Sequence, residues 1–115
     1  MQQVVLKRGL CGVAALFFGL GVAPSASALD EEGVLALMKK SNCNKCHSLD
    51  KKKEGPPYKE TAAKYKGKAD GPEKVYIHLT TNPKVEVDGK KEEHDNLKTK
   101  NDADIKDVVK YILSR

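Results

Sequence analysis

The 115-residue chain has no tryptophan, and its two phenylalanines, Phe17 and Phe18, both fall in an apolar run near the N-terminus. It has two methionines, Met1 and Met38, and three cysteines, Cys11, Cys43 and Cys46. Each shortage excludes something. Four tyrosines are too few for an aromatic stacking platform, which argues against a nucleic-acid-binding face. With only Cys43 and Cys46 beyond the apolar run there is no disulfide framework and no second thiol pair for a four-cysteine zinc site. No second long apolar stretch follows the first, so stable membrane insertion of the remainder is not expected.

Residues 1–28 read as an export signal. Lys7 and Arg8 supply the positive start, "LCGVAALFFGLGVA" the apolar segment, and Ala26-Ser27-Ala28 a small-residue cleavage site. The segment is short for a retained anchor. Cys11 lies inside it, preceded by Leu10, which is too large for a typical lipoprotein cleavage site. Cleavage would leave residues 29–115 as one domain in the periplasm and lower the formal charge from +5 to +3. Both phenylalanines leave with the signal. A domain this small, with 32% charged residues, needs a staple: a disulfide, a metal or a large apolar cofactor.

Four helical segments are legible. The first covers about residues 31–41, with acidic residues in its opening turn, Lys39 and Lys40 in its last, and Val34, Leu37 and Met38 on its apolar stripe. After a loop containing Gly55, Pro56 and Pro57, a second runs over about residues 58–66 and turns Tyr58, Thr61, Ala62 and Tyr65 inward, with Gly67 as its stop. A third opens at Asp70-Gly71-Pro72 and ends before Asn82-Pro83. The last is capped by Asn101 or Asp102 and carries Ile105, Val108, Val109 and Ile112 at helical spacing. Between them, residues 82–100 have no helical period. There "VEVDGKKEE" reads either as a brief hairpin turning at Asp88-Gly89 or as an exposed loop.

The chemistry concentrates in "CNKCH", residues 43–47. A thioredoxin-like dithiol would follow a strand and open a helix, whereas this pair follows a helix. A plain disulfide leaves His47 without a role. Zinc would need two more ligands, and His78 and His94 lack zinc-finger spacing. Haem attachment uses every residue. Cys43 and Cys46 form thioethers to the two vinyl groups, and His47 falls beneath the iron as proximal ligand. The prosthetic group, one covalent haem c, also supplies the apolar bulk that the side chains lack.

With the helix before "CNKCH", the segment "EGPPYKETAAKYKG" and the closing helix "NDADIKDVVKYILSR", the chain resembles the class I monohaem cytochromes c over essentially all of residues 29–115. That resemblance implies an all-α fold, four short helices around one covalently bound haem, with an irregular distal loop. It further implies that the first and last helices cross, with Gly33 permitting close approach near Tyr111. By the same resemblance, the carbonyl of Pro56 accepts a hydrogen bond from His47 Nδ1, orienting the ring.

The chain departs from the family at the second axial ligand. Most members supply a methionine shortly before the last helix; here Met38 lies upstream, on a helical stripe where a thioether is packing. His94 occupies the region where the family's methionine is expected and is the favoured distal ligand. His78, Asn96, Lys98 or an open site are the alternatives. A solvated loop histidine is what a residue flanked by Glu92, Glu93 and Asp95 would ordinarily be. Replacing a thioether by imidazole lowers the reduction potential.

Iron with both axial positions filled transfers electrons rather than binding substrate. The expected function is therefore a periplasmic, monomeric electron carrier, not an enzyme, exchanging single electrons with redox proteins. The methionine-free loop resembles that of small periplasmic cytochromes linked to outer-membrane iron-oxidising conduits. That likeness implies a multihaem cytochrome as donor and an inner-membrane or periplasmic acceptor. The alternative is a haem protein whose distal ligand is labile and which binds O2, NO or CO as sensor or enzyme. Lysines 51–53, 59, 64, 66 and 68 either rim a docking face or serve solubility.

Overall fold

A computed structural model describes residues 28–115, together with Gly19 and Gly21. The export-signal reading of residues 1–28, and Cys11 with it, lies outside the described residues apart from Gly19, Gly21 and Ala28. The order of elements is α1 (Glu31–Lys40), α2 (Cys43–Cys46), α3 (Tyr58–Tyr65), α4 (Gly71–Thr80), β1 (Lys84–Val87), β2 (Lys90–Glu93) and α5 (Asp102–Leu113).

Helix α1 starts where Asp30 accepts a 2.8 Å hydrogen bond from the Gly33 N–H, and Glu31 and Glu32 then face the positive end of the dipole. It stops at Ser41, not through it. The Ser41 N–H closes on Leu37, and Asn42 (φ 59°) takes the left-handed conformation that turns the chain into α2. Helix α3 has no side-chain cap. Its first N–H groups are met instead by the loop below, Tyr58 N–H donating to Ser48 O at 2.9 Å and Lys59 N–H to Leu49 O at 3.1 Å. Pro72 pre-sets the first turn of α4.

Helix α5 is the spine, packed against α1, α3 and α4. Asn101 caps it through the Ala103 N–H at 3.0 Å, and Ile105, Val108, Val109 and Ile112 are its buried face. Those four join Val34, Leu37 and Met38 of α1, Tyr58 of α3, Val75 and Leu79 of α4, and Leu97 in one core. Two polar ties complete the frame. The Leu29 N–H donates to Asp107 Oδ2 at 2.8 Å, and the Tyr76 hydroxyl donates to Asp102 Oδ1 at 2.8 Å, joining α4 to the start of α5.

The stretch open to two readings forms the hairpin. β1 and β2 pair antiparallel from Lys84 opposite Glu93 to Val87 opposite Lys90, and Asp88 (φ 50°) and Gly89 (φ 77°) make the two-residue turn that matches strand twist. A Cβ at Gly33 would meet Asp30 Oδ1 and Leu29 Cδ2, each at 3.1 Å, so the chain leading into α1 lies close over Gly33. The cause is the cap itself, which folds residues 29 and 30 back over the first turn.

Met38 is 1% exposed, in the middle of the core. Replacing it with alanine should lower stability to urea by about 2–5 kcal/mol, the usual range for emptying a buried methionine site. The visible absorption spectrum of the haem-loaded protein should stay unchanged; a spectral shift would mean that the thioether acts at the iron.

Candidate haem centre

Cys43 and Cys46 lie three residues apart in the single turn of α2, so both side chains leave the same face. His47 is the residue at which that turn ends. Its backbone is extended (φ −121°, ψ 150°), which swings the imidazole out of the helix while its N–H still closes on Cys43 O at 2.9 Å. Neither cysteine is in a disulfide; as thiols both would titrate above the ordinary range, burial being the largest cause, and Glu54, accepting from Cys46 Sγ at 3.2 Å, adds to it at Cys46. Reactive redox cysteines have lowered values, so this pair has the opposite character.

The imidazole of His47 is held on three sides. Pro56 O lies 2.8 Å from Nδ1, which puts the proton on Nδ1 and leaves Nε2 with its lone pair. A Cβ on Gly55 would come within 2.4 Å of His47 Cε1, so the ring occupies space that only glycine concedes. Tyr58 stacks on it at 5.5 Å between ring centres, with 24° between planes. The hydrogen bond from Gly55 N–H to Cys46 O, 2.8 Å, keeps the loop against the motif.

Opposite stands His94, at the end of β2, its ring centre 6.0 Å from that of His47 and its plane tilted by 52°. Two metal–imidazole bonds of about 2.0 Å, plus roughly 1.1 Å from each donor nitrogen to its ring centre, also span about 6 Å. His78 packs on His94 at 4.3 Å, from α4. Partial burial is the largest cause holding His78 and His94 below the ordinary imidazole range. Next comes neighbouring imidazole charge, from His47 at His94 and from His94 and then His47 at His78. At neutral pH both are therefore neutral bases with a lone pair to give.

Of the other distal candidates, Asn96 has its amide engaged by Asn82, and the Lys98 N–H is tied to Ser41 Oγ at 2.9 Å with the residue itself exposed. Among the described residues no group of three or more His, Cys, Asp or Glu is placed to hold a metal ion, so the ligand set of a structural zinc site is not assembled there. Gly55, Tyr58 and Asn82 are the residues of this centre that motif reading passed over. Gly55 was legible only as a loop breaker and Asn82 only as a helix stop.

The residues suit a haem. Two polar atoms are buried without a hydrogen-bond partner among the described residues, Tyr58 Oη and His94 Nδ1. Such atoms are rare in a finished interior, and they suit a prosthetic group that brings polar atoms and a metal of its own. Burial also raises the Tyr58 hydroxyl well above its ordinary value.

The family profile for cytochrome c matches residues 33–115. The chain belongs to the cytochrome c family. Cytochrome c-551 of Allochromatium vinosum is 47% identical over 53 residues, which cover 46% of this chain and 51% of that protein. Cytochrome c-551 of Stutzerimonas stutzeri is 36% identical over 74 residues, covering 64% and 67% respectively. The chain thus spans about half the length of the first of these relatives. Among solved structures, class 1 cytochrome MtoD from Sideroxydans lithotrophicus ES-1 superposes with a TM-score of 0.71 at 44% identity, covering 76% of this chain and 97% of that one. Cytochrome c552 of Nitrosomonas europaea gives 0.55 at 29% identity, covering 70% and 96%. The fold is that of the class I cytochromes c, and as a cytochrome c the chain carries one covalent c-type haem through Cys43 and Cys46.

Gly55→Ala should displace the His47 ring and break its bond to Pro56 O, lowering stability by about 1–3 kcal/mol, as overpacking usually does. Thermal unfolding and the low-spin absorption bands of the loaded protein check it. An alanine variant with unaltered melting temperature and spectrum would show that the contact is not rigid.

Proposed function

We propose that this cytochrome c is a periplasmic electron carrier, not an enzyme, whose haem iron is held between His47 and His94. The observation that carries the reading is the 6.0 Å apposition of these two rings while Nδ1 of His47 is occupied by Pro56 O. The haem supplies a one-electron couple between ferric and ferrous iron. What the chain does is orient the His47 imidazole through Pro56 O and Tyr58 and place His94, a neutral base, 6.0 Å from it. His94 in place of methionine sets the reduction potential below that of methionine-ligated family members.

Among the described residues no helix is long and apolar enough to cross a membrane. Leader cleavage and residence in the periplasm rest on the pattern of residues 1–28. The molecule works as a monomer in this reading. Lys51, Lys52 and Lys53 are exposed, make no ion pair among the described residues, and begin four residues after His47; they suit brief encounters with acidic faces of redox partners. The methionine-free loop supports a multihaem cytochrome of an iron-oxidising conduit as donor and an inner-membrane or periplasmic protein as acceptor.

The test is spectroscopy of the oxidised and reduced protein beside His94→Ala and His78→Ala. Wild type should be low-spin without a sulfur-to-iron charge-transfer band, and its ferrous form should bind carbon monoxide slowly. His94→Ala should turn high-spin and take up carbon monoxide or cyanide quickly, whereas His78→Ala should stay close to wild type. The reverse pattern would move the distal ligand to His78. Rapid carbon monoxide binding by wild type would favour the labile-ligand sensor instead.

A further inference from the structure

His94 stands at the end of a two-stranded ribbon whose second strand is exposed throughout, and an isolated hairpin of this kind is marginal in water. Something other than the ribbon must hold the imidazole still. We propose that the side chains of Asn82 and Asn96 form a clasp that positions His94 and thereby limits access of outside ligands to the distal face of the iron. This inference rests on the reading of His94 as distal ligand.

The geometry closes on itself. The Asn82 N–H donates to Asn96 Oδ1 at 2.8 Å, and Asn96 Nδ2 donates back to Asn82 Oδ1 at 2.8 Å. Asn82 Nδ2 then donates to the carbonyl of His94 at 3.1 Å. The N–H of His94 donates to Pro83 O at 2.8 Å, so the main chain of the ligand residue is held on both sides. Just beyond, the Leu97 N–H donates to Leu79 O at 3.0 Å and the Leu97 side chain is 6% exposed, which anchors the far end of the clasp to α4 and the core.

Asn82 is also conformationally odd. Its φ is 47°, and the next residue is Pro83, which disfavours helical conformations in the residue before it. Asparagine tolerates the left-handed region better than other non-glycine residues. A bare chain would leave this conformation readily; the three amide hydrogen bonds keep it. A metal ligand must be held to within about 0.5 Å to stay productive, and ligands on loops meet that only when their neighbours are locked. The clasp provides the lock for His94, as Pro56 O does for His47. Asn82 and Asn96 are thus positioning residues that act through His94 without touching the iron.

The experiment uses the haem-loaded protein. Asn82→Gly keeps the backbone conformation accessible and removes both bonds of the Asn82 side chain; Asn96→Ala removes both bonds between Asn96 and Asn82. Asn82→Asp keeps the acceptor for Asn96 Nδ2 but loses the donor to His94 O. The readouts are the rate of carbon monoxide binding to the ferrous form, cyanide binding to the ferric form, the low-spin bands and the melting temperature. Asn82→Gly and Asn96→Ala should raise the carbon monoxide rate about tenfold or more, the scale on which loss of a ligand's supporting hydrogen bond is felt. Asn82→Asp should fall between them and wild type. In a His94→Ala background, Asn82→Gly should change the rate by less than about twofold, because coupled residues are not additive.

If Asn82→Gly and Asn96→Ala melt lower but bind carbon monoxide at the wild-type rate, while His94→Ala binds it fast, the clasp is only structural and the inference falls alone. If His94→Ala binds no faster than wild type, the distal-ligand reading falls and takes the clasp with it.

Discussion

The lodging of the His47 ring against Gly55 and Pro56 is the constraint on which the rest depends. Covalent attachment at Cys43 and Cys46 fixes only where a porphyrin hangs. What turns the next residue into a directed donor is a carbonyl 2.8 Å from Nδ1 and a position where no Cβ can stand. The same loop supplies the first hydrogen bonds of α3, through Ser48 O and Leu49 O. The proximal side and the helix that follows are therefore one unit, and Tyr58, the first residue of that helix, stacks on the ring.

The His94 side of the centre is built differently. α3 and α4 reach the centre as helices locked onto α5, but His94 follows a hairpin whose second strand is exposed and is held largely by polar contacts of its main chain. The ties run from the C-terminal end of α4 through Asn82 and Asn96, and from the end of α1 through Ser41 Oγ to the Lys98 N–H. A side dominated by hydrogen bonds at the surface is easier to open than one dominated by packing. If the iron has an adjustable face, this is the face. A domain with no tryptophan and no phenylalanine beyond residue 18 can accept such an arrangement because the cofactor itself supplies the bulk that large side chains supply elsewhere.

Much of this was legible in the chain. The spacing Cys43, Cys46, His47 names a haem attachment with little competition, since each rival reading lacks a residue it needs. Helix starts were readable from Pro72 and Asn101, whose side chains act within a few residues of themselves. The turn at Asp88-Gly89, where positive φ is a local requirement, was one of two readings, and the structure chose it. The relation of Gly33 to Tyr111 is of another kind, between two helices far apart in sequence, where no local rule governs which atoms meet.

By itself the sequence determined the cofactor, its points of attachment, the helical periods and the want of a methionine near the last helix; these depend on residue type and short spacing. Only the tertiary structure decided which histidine faces His47, that glycine at position 55 makes room for a ring, and that two asparagines fourteen positions apart close over the base of the hairpin. Those are matters of distance between segments, set when α5 gathers the other helices around it, and a linear pattern of residues does not carry them.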